Sequence, residues 1–284
     1  MIQECKKLLE TGQGIINITH AVDVNRVFKV DYHDHDFYEI LYFISGSVSH
    51  IMEGGSYLLR PGDLIIIPPN KLHQVVVDNA AVPYDRYVLW FSGNLVQLLS
   101  STESGLEECL LRFHSGNRLV PVPEVQREVL RAMLDRLLEN PSVEKIGGKC
   151  LFGELMAAIS RLYFEDSGGL KQAYCIQNQL ICAVLQFISE KLTGRISLDD
   201  LSARFFMSKF HLCREFKKHM GLTIHQYVIQ KRLMKAKRQI AAGESLTQVY
   251  ADCGFGDYSS FWRQFTAEFG MTPRDYQDWS KSQM

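Results

Sequence analysis

The sequence lacks the marks of a secreted, membrane-spanning or nucleotide-hydrolysing protein. Its seven cysteines, at positions 5, 109, 150, 175, 182, 213 and 253, are odd in number, scattered, and form no CxxC pair. That excludes a regular disulfide framework and points to a reducing compartment, the cytoplasm. No apolar run is long enough to cross a bilayer and none follows the lysines near the N-terminus, so neither a membrane span nor a signal peptide is expected. There is no P-loop, no GxSxG and no low-complexity tract, which removes the commonest sequence signals of phosphoryl and acyl transfer.

What is present suffices for real cores: 284 residues, 46% hydrophobic and 11% aromatic, a length that favours two domains. The net charge of -1 conceals an asymmetry. From Leu180 onward there are 15 Lys+Arg against 10 Asp+Glu, and before it 16 against 22. The basic half is the half suited to a polyanion.

That half contains a repeat. Displacing the sequence by 49 positions lays Ser208 on Asp257, Leu212 on Phe261, Arg214 on Arg263, Phe216 on Phe265, Gly221 on Gly270, Thr223 on Thr272 and Tyr227 on Tyr276. Each copy reads as a polar N-cap, a short helix with apolar residues four apart, a terminating glycine and a Thr-x-x-x-Tyr continuation. In copy one, Leu198, Leu201 and Phe205 are the expected inner face of a supporting helix, and Leu212 and Phe216 point inward from the next. Lys209, Phe210, Cys213, Arg214 and Lys217 are left outward, with Lys218 beside them, as contacts to bases or phosphates require. In copy two Gly254 makes the turn, Phe261 and Phe265 point inward, and Tyr258, Ser259, Trp262 and Arg263 face out. Between the copies, Thr223 to Ala241 reads as one basic helix of roughly 28 Å. That is not far from the ~34 Å between successive major-groove entries on one side of B-DNA.

Gly254-Phe255-Gly256-Asp257-Tyr258-Ser259-Ser260-Phe261-Trp262-Arg263-Gln264-Phe265, then Gly270-Met271-Thr272-Pro273 and Tyr276, resembles the C-terminal signature of AraC/XylS-type transcription regulators. Met207-Ser208 through Phe216-Lys217-Lys218 to Gly221 and Tyr227 resembles that family's first unit. Two positions depart: Tyr250 stands where the family usually has alanine, and Thr266-Ala267 replace a usual basic pair. The resemblance implies double-stranded DNA as partner and a homodimer.

Ahead of this tail lie short segments of strand character: 15–18, 27–30, 38–44, 47–52, 56–59, 64–67, 74–77 and 87–91, with Gly54-Gly55 as a hairpin turn. Many short strands punctuated by glycine and proline argue for a sandwich or small barrel. Within them His33-x-His35-x-x-x-Glu39 followed by Gly46 resembles the first cupin motif. Pro61-Gly62-Asp63 through Pro68 to His73 resembles the second, with Asn70 where a glycine is usual, a tolerable change because asparagine accepts left-handed backbone. The resemblance puts His33, His35, Glu39 and His73 where metal-binding cupins carry their ligands. A divalent transition metal suits such a set. The alternatives are that the four line a pocket for a small organic effector, for which a sugar is the family's commonest suggestion, or that they only pack.

From Gly93 to about Asp166 the period becomes helical. Pro123-Glu124-Val125 opens a helix whose stripe is Val125, Val129, Met133, Leu134, Leu137 and Leu138, ended by Asn140-Pro141. A second carries Leu151, Leu155, Ile159 and Leu162 or Tyr163. Such stripes either cover a barrel or pack on a second copy of the chain. Asp166-Ser167-Gly168-Gly169 is the most linker-like stretch. The expected architecture is therefore an all-β cupin-type barrel at 1–92, a helical cover or dimerisation segment at 93–167, a linker at 168–178, and an all-α double helix-turn-helix at 179–284. It implies an effector-controlled, sequence-specific DNA-binding regulator. A metal-dependent cupin enzyme with a DNA-tethering tail is the alternative.

Overall fold

A computed structural model of the chain describes residues 16–30, 32–52, 55–93, 95, 119–140, 146–165, 175–176 and 179–282. The linker-like stretch at 166–169, Gly54 of the hairpin turn, Pro141 and the helical reading of 96–118 lie outside the described residues. The chain divides into two compact units, with the boundary between Ile176 and Gln177.

The first unit is built on two five-stranded antiparallel sheets. One runs β1 (Ile16–Asp23), β8 (Tyr84–Phe91), β3 (Tyr38–Ser45), β6 (Asp63–Ile67), β9 (Leu119–Pro121). The other runs β10 (Cys175–Ile176), β5 (Gly55–Leu58), β4 (Ser47–Met52), β7 (His73–Asn79), β2 (Phe28–Lys29). Among the described residues these sheets form an open sandwich rather than a closed barrel.

Side-chain parity explains why β3 and β6 are apolar without alternation. Leu41, Phe43, Ile65, Ile67, Val88 and Trp90 point between the sheets, where they meet Val48, Met52 and Val77 of the second sheet. Their neighbours Ile40, Tyr42, Leu64, Ile66, Leu89 and Phe91 point the other way, onto two helices. Those helices are α1 (Glu124–Glu139) and α2 (Ile146–Glu165), which supply Leu130, Leu134, Leu137, Phe152, Leu155, Met156 and Ile159.

Two strands escape the reading from sequence: β9 falls in the segment expected to be helical, and β10 in the expected linker. Three and two residues are too few for a period to show. The α1 stripe is also narrower than expected. Leu134 and Leu137 are buried and Met133 and Leu138 pack partly against the same core, but Val125 is 85% exposed and Val129 58%.

The second unit contains α3 (Gln179–Glu190), α4 (Leu198–Phe205), α5 (Lys209–Met220), α6 (Ile224–Ala241), α7 (Leu246–Asp252), α8 (Tyr258–Phe269) and α9 (Pro273–Ser282). Helix α6 runs unbroken between the two helix-turn-helix copies. A reciprocal cap starts it: Thr223 Oγ1 accepts the Gln226 amide, and Gln226 Oε1 accepts the Thr223 amide at 2.9 Å. Its Leu233, Ala236 and Ile240 share a core with Val249, Phe261, Phe265 and Tyr276 of copy two. Near its start Ile224, Tyr227 and Val228 are also buried, and the Tyr227 ring lies 5.7 Å from Phe216 of copy one.

Candidate functional site

The repeat seen in the sequence is carried out atom for atom at the helix ends. Ser208 and Asp257 both cap their helices, accepting the amides of His211 at 3.3 Å and Ser260 at 2.7 Å. Gly221 and Gly270 end them with φ of 68° and 70°, a conformation that suits glycine. Leu212, Phe216, Phe261 and Phe265 are fully buried. Thr272 repeats the cap of Thr223, its hydroxyl accepting the Asp275 amide at 3.1 Å.

With those apolar positions inward, the opposite sides of α5 and α8 are set outward. On α5, Lys209, Phe210, Arg214, Lys217 and Lys218 are exposed. The Arg214 guanidinium is steadied by His211 Nδ1 at 3.1 Å and lies 5.8 Å from the Phe210 ring centre. Lys209 Nζ meets Asp199 at 2.5 Å, an exposed pair of small worth that a phosphate can replace. Cys213, expected to face outward, is only half-buried and lines a recess together with Ile224 and Val228 of α6. On α8, Tyr258, Ser259, Trp262 and Arg263 are all exposed. Tyr250, the departure from the family pattern, packs its ring edge-on at 5.8 Å from Tyr258.

Two features of the unit are not those expected. Leu198 is substantially exposed rather than inward, since α4 begins with it and only Leu201 reaches the core. The basic residues of α6 also serve the fold itself. Arg232 donates to the Leu192 and Gly194 carbonyls at 2.9 and 2.6 Å, Lys235 to the Asp252 carbonyl at 2.9 Å, and Lys237 Nζ lies 5.5 Å from the Phe269 and Tyr276 ring centres.

The turns of the two copies differ at one register position. In copy two Gly254 takes φ of 85°, where a Cβ would stand 2.9 Å from the Thr193 carbonyl, and Phe255 is buried beside Phe261. In copy one the glycine is missing, and Phe206, the counterpart of Phe255, itself takes φ of 52° and is 96% exposed.

The first unit holds a cavity of about 110 Å³ between its sheets. His33, His35, Glu39 and His73 all line it. His33 and His35 precede β3. His33 makes an isolated bridge to His73 through paired backbone hydrogen bonds of 3.1 and 3.0 Å. Asn70 takes φ of 62° and donates its amide to the His35 carbonyl at 2.7 Å.

Two histidines are oriented by backbone. His35 Nδ1 donates to the Phe37 carbonyl at 2.7 Å and His73 Nδ1 to the Lys71 carbonyl at 2.9 Å, turning both Nε2 atoms toward the cavity. Glu39 Oε2 meets His35 Nε2 at 3.1 Å and accepts the Trp90 indole N–H at 2.8 Å. Burial opposes ionisation of Glu39, yet the hydrogen bond and charge of His35, with help from His73 and Trp90, hold its carboxyl well below the usual range. His73 Nε2 is buried with no hydrogen-bond partner.

The donor chemistry of His35, Glu39 and His73, whose ligand atoms lie within 4.8 Å of one another, fits a divalent transition metal. His33 is not in that converging set.

Sequence reasoning missed four residues here. His50, fully buried behind His73 with neither ring nitrogen partnered, is pushed down to about 4 by burial. The alternation Val48-x-His50-x-Met52 was a usable signal for its inward direction. Trp90 and Arg86 line the cavity at one parity of β8, and Thr19 lines it from β1.

A family model described as a helix-turn-helix domain matches residues 201–278, and one described as an AraC-like ligand binding domain matches residues 21–156. The HTH-type transcriptional activator RhaS of Salmonella schwarzengrund (strain CVM19633) is 25% identical over 247 residues, 86% of each chain. Among solved structures, the DNA-binding domain of AdpA in complex with a target DNA is 25% identical over 35% of this chain and 91% of its own, with a TM-score of 0.34. Apo ToxT K231A from Vibrio cholerae is 13% identical over 93% of this chain and 96% of its own, with a TM-score of 0.40.

Proposed function

The chain belongs to the AraC family of DNA-binding transcription regulators, and from that premise we propose that its two helix-turn-helix units read two successive major grooves while the cavity in its ligand-binding domain takes the effector. Its relatives are regulators rather than enzymes, which removes the reading as a metal-dependent cupin enzyme.

The observation that carries the reading is the exposure of Arg214 and Arg263 at one register of two helices whose opposite sides are buried. Arginine pairs bidentately with guanine, so these two are assigned to base edges. Phe210, Tyr258, Ser259 and Trp262 add apolar and hydrogen-bond contacts, and Lys209, Lys217 and Lys218 hold phosphates. Selection of sites from a random DNA pool tests this. Arg214→Ala costs about 1–3 kcal/mol on the selected site and relaxes one base position, and Arg263→Ala relaxes another a helical turn away. Unchanged preference in both variants sinks the assignment.

His33, His35, Glu39 and His73 form the polar end of the effector pocket in this reading. His35, Glu39 and His73 are the residues that would hold a divalent metal, which when bound supplies open positions for an effector oxygen. Val125 and Val129, left exposed on α1, support a homodimer formed through that helix. The absence of a CxxC pair and the DNA partner support a cytoplasmic site of action.

A further inference from the structure

We propose that Arg232 is a positioning residue that fixes the two reading helices relative to each other, and so makes the protein selective for the number of base pairs between the two groups of bases it reads. This rests on the reading of the two helix-turn-helix units as docking in successive major grooves.

A connecting rod such as α6 sets the length between two bodies but leaves their mutual angle to whatever else ties them. A second tie, away from the rod's axis, removes that hinge. Arg232 supplies one. Its helix is committed to copy two, where Leu233, Ala236 and Ile240 share a core with Phe261 and Phe265. The guanidinium reaches the other way, to the loop between α3 and α4, donating from Nε to the Leu192 carbonyl at 2.9 Å and from Nη2 to the Gly194 carbonyl at 2.6 Å. That loop belongs to copy one. It enters α4 through the Ser197 cap, and on its other side α3 packs Phe187 edge-on against Phe205 of α4, with ring centres 6.2 Å apart. Two bonds from one planar fork resist rotation as well as separation, which a single ammonium does not.

Copy two meets the same loop directly. Gly254, in the turn before α8, lies so close that a Cβ there would stand 2.9 Å from the Thr193 carbonyl and 3.0 Å from the Arg232 guanidinium. Ordinary contact begins at 3.4 Å, so a side chain here would push the turn and the loop apart. The loop of copy one, the guanidinium and the turn of copy two are therefore packed at one point.

The duplex makes this arrangement a measuring device. One base pair advances B-DNA by about 3.4 Å and rotates it by roughly 35°. Helices held at a fixed distance and angle cannot follow that step, so a site with one base pair inserted between the two groups of bases engages only one unit.

The test is binding of the full-length protein to its selected site, and to versions with one base pair inserted or removed between the guanines read by Arg214 and Arg263. Wild type is expected to lose roughly 100-fold on either altered site. Arg232→Met, which keeps the stem and removes the donors, cuts that penalty to about ten-fold, while the bases preferred by each unit stay the same. Arg232→Lys, which keeps the charge and a single donor group, shifts in the same direction and covers the case in which Arg232→Met misfolds. The slope of affinity against salt is unchanged in both, since no phosphate contact is lost. A wild-type protein indifferent to spacing overturns the inference, as does a penalty undiminished in both variants. If Arg232→Lys matches wild type and Arg232→Met shows a shallower salt slope, the arginine holds a phosphate and the inference fails. In each of these cases two guanine clusters in methylation interference leave the two-groove reading standing, whereas a single cluster per protomer brings down that reading and the inference together.

Discussion

Phe206 and Phe255 occupy one register of the repeat and end in opposite places, and the reason is a single glycine. Gly254 absorbs the left-handed turn in copy two and lets Phe255 fold inward, whereas in copy one that conformation falls on Phe206 and sends its ring into solvent. An L-residue in this region costs about 1–2 kcal/mol, so Phe206→Gly raises stability by about 1 kcal/mol in thermal melts. Phe255→Ala, which empties a buried site, lowers it by about 3–5 kcal/mol. Equal effects at both positions would contradict this account.

A second residue-scale consequence concerns His50, whose folded-state proton affinity is pushed down to about 4 from 6.5 by burial. Below pH 6.5 the unfolded chain takes up this proton and the folded one does not, so stability is full above that pH and declines as pH falls toward 4. The loss is on the order of 3 kcal/mol. His50→Leu should flatten the dependence of the melting midpoint between pH 6.5 and 4, and an unchanged slope would refute the assignment.

At the scale of elements, the caps were the most legible features, because four consecutive residues carry all their chemistry. Ser208→Ala and Asp257→Ala should each lower stability by about 1 kcal/mol in denaturant melts, each acting on its own helix. Features that depend on distant chain were not legible. Leu198 looks like a core residue by spacing, but whether it is buried depends on where α4 begins. Strands β9 and β10 exist only because β6 and β5 offer them an edge. The cupin motif pointed to the four cavity residues and passed over His50, Trp90, Arg86 and Thr19, which belong to no motif and are recognised only once both sheets are in place. The same limit applies to α1, whose stripe divides into buried Leu134 and Leu137 and exposed Val125 and Val129. If the exposed pair is the dimer seam, Val129→Glu yields a monomer in sedimentation with its melting temperature unchanged. A dimer that persists would move the seam elsewhere.

At the scale of the molecule, α6 is the spacer between the two reading helices. Its 18 residues span about 27 Å, and its Arg232, Lys235 and Lys237 are tied into the fold. That division of labour, a stiff basic helix holding the frame and two short helices presenting arginines, accounts for DNA binding by a chain whose net charge is -1. Methylation interference on a selected site measures it most directly. Two clusters of major-groove guanines per protomer, about one helical turn apart, are the expected result. Arg214→Ala abolishes one cluster and Arg263→Ala the other. A single cluster per protomer, or the loss of the same cluster in both variants, would contradict it.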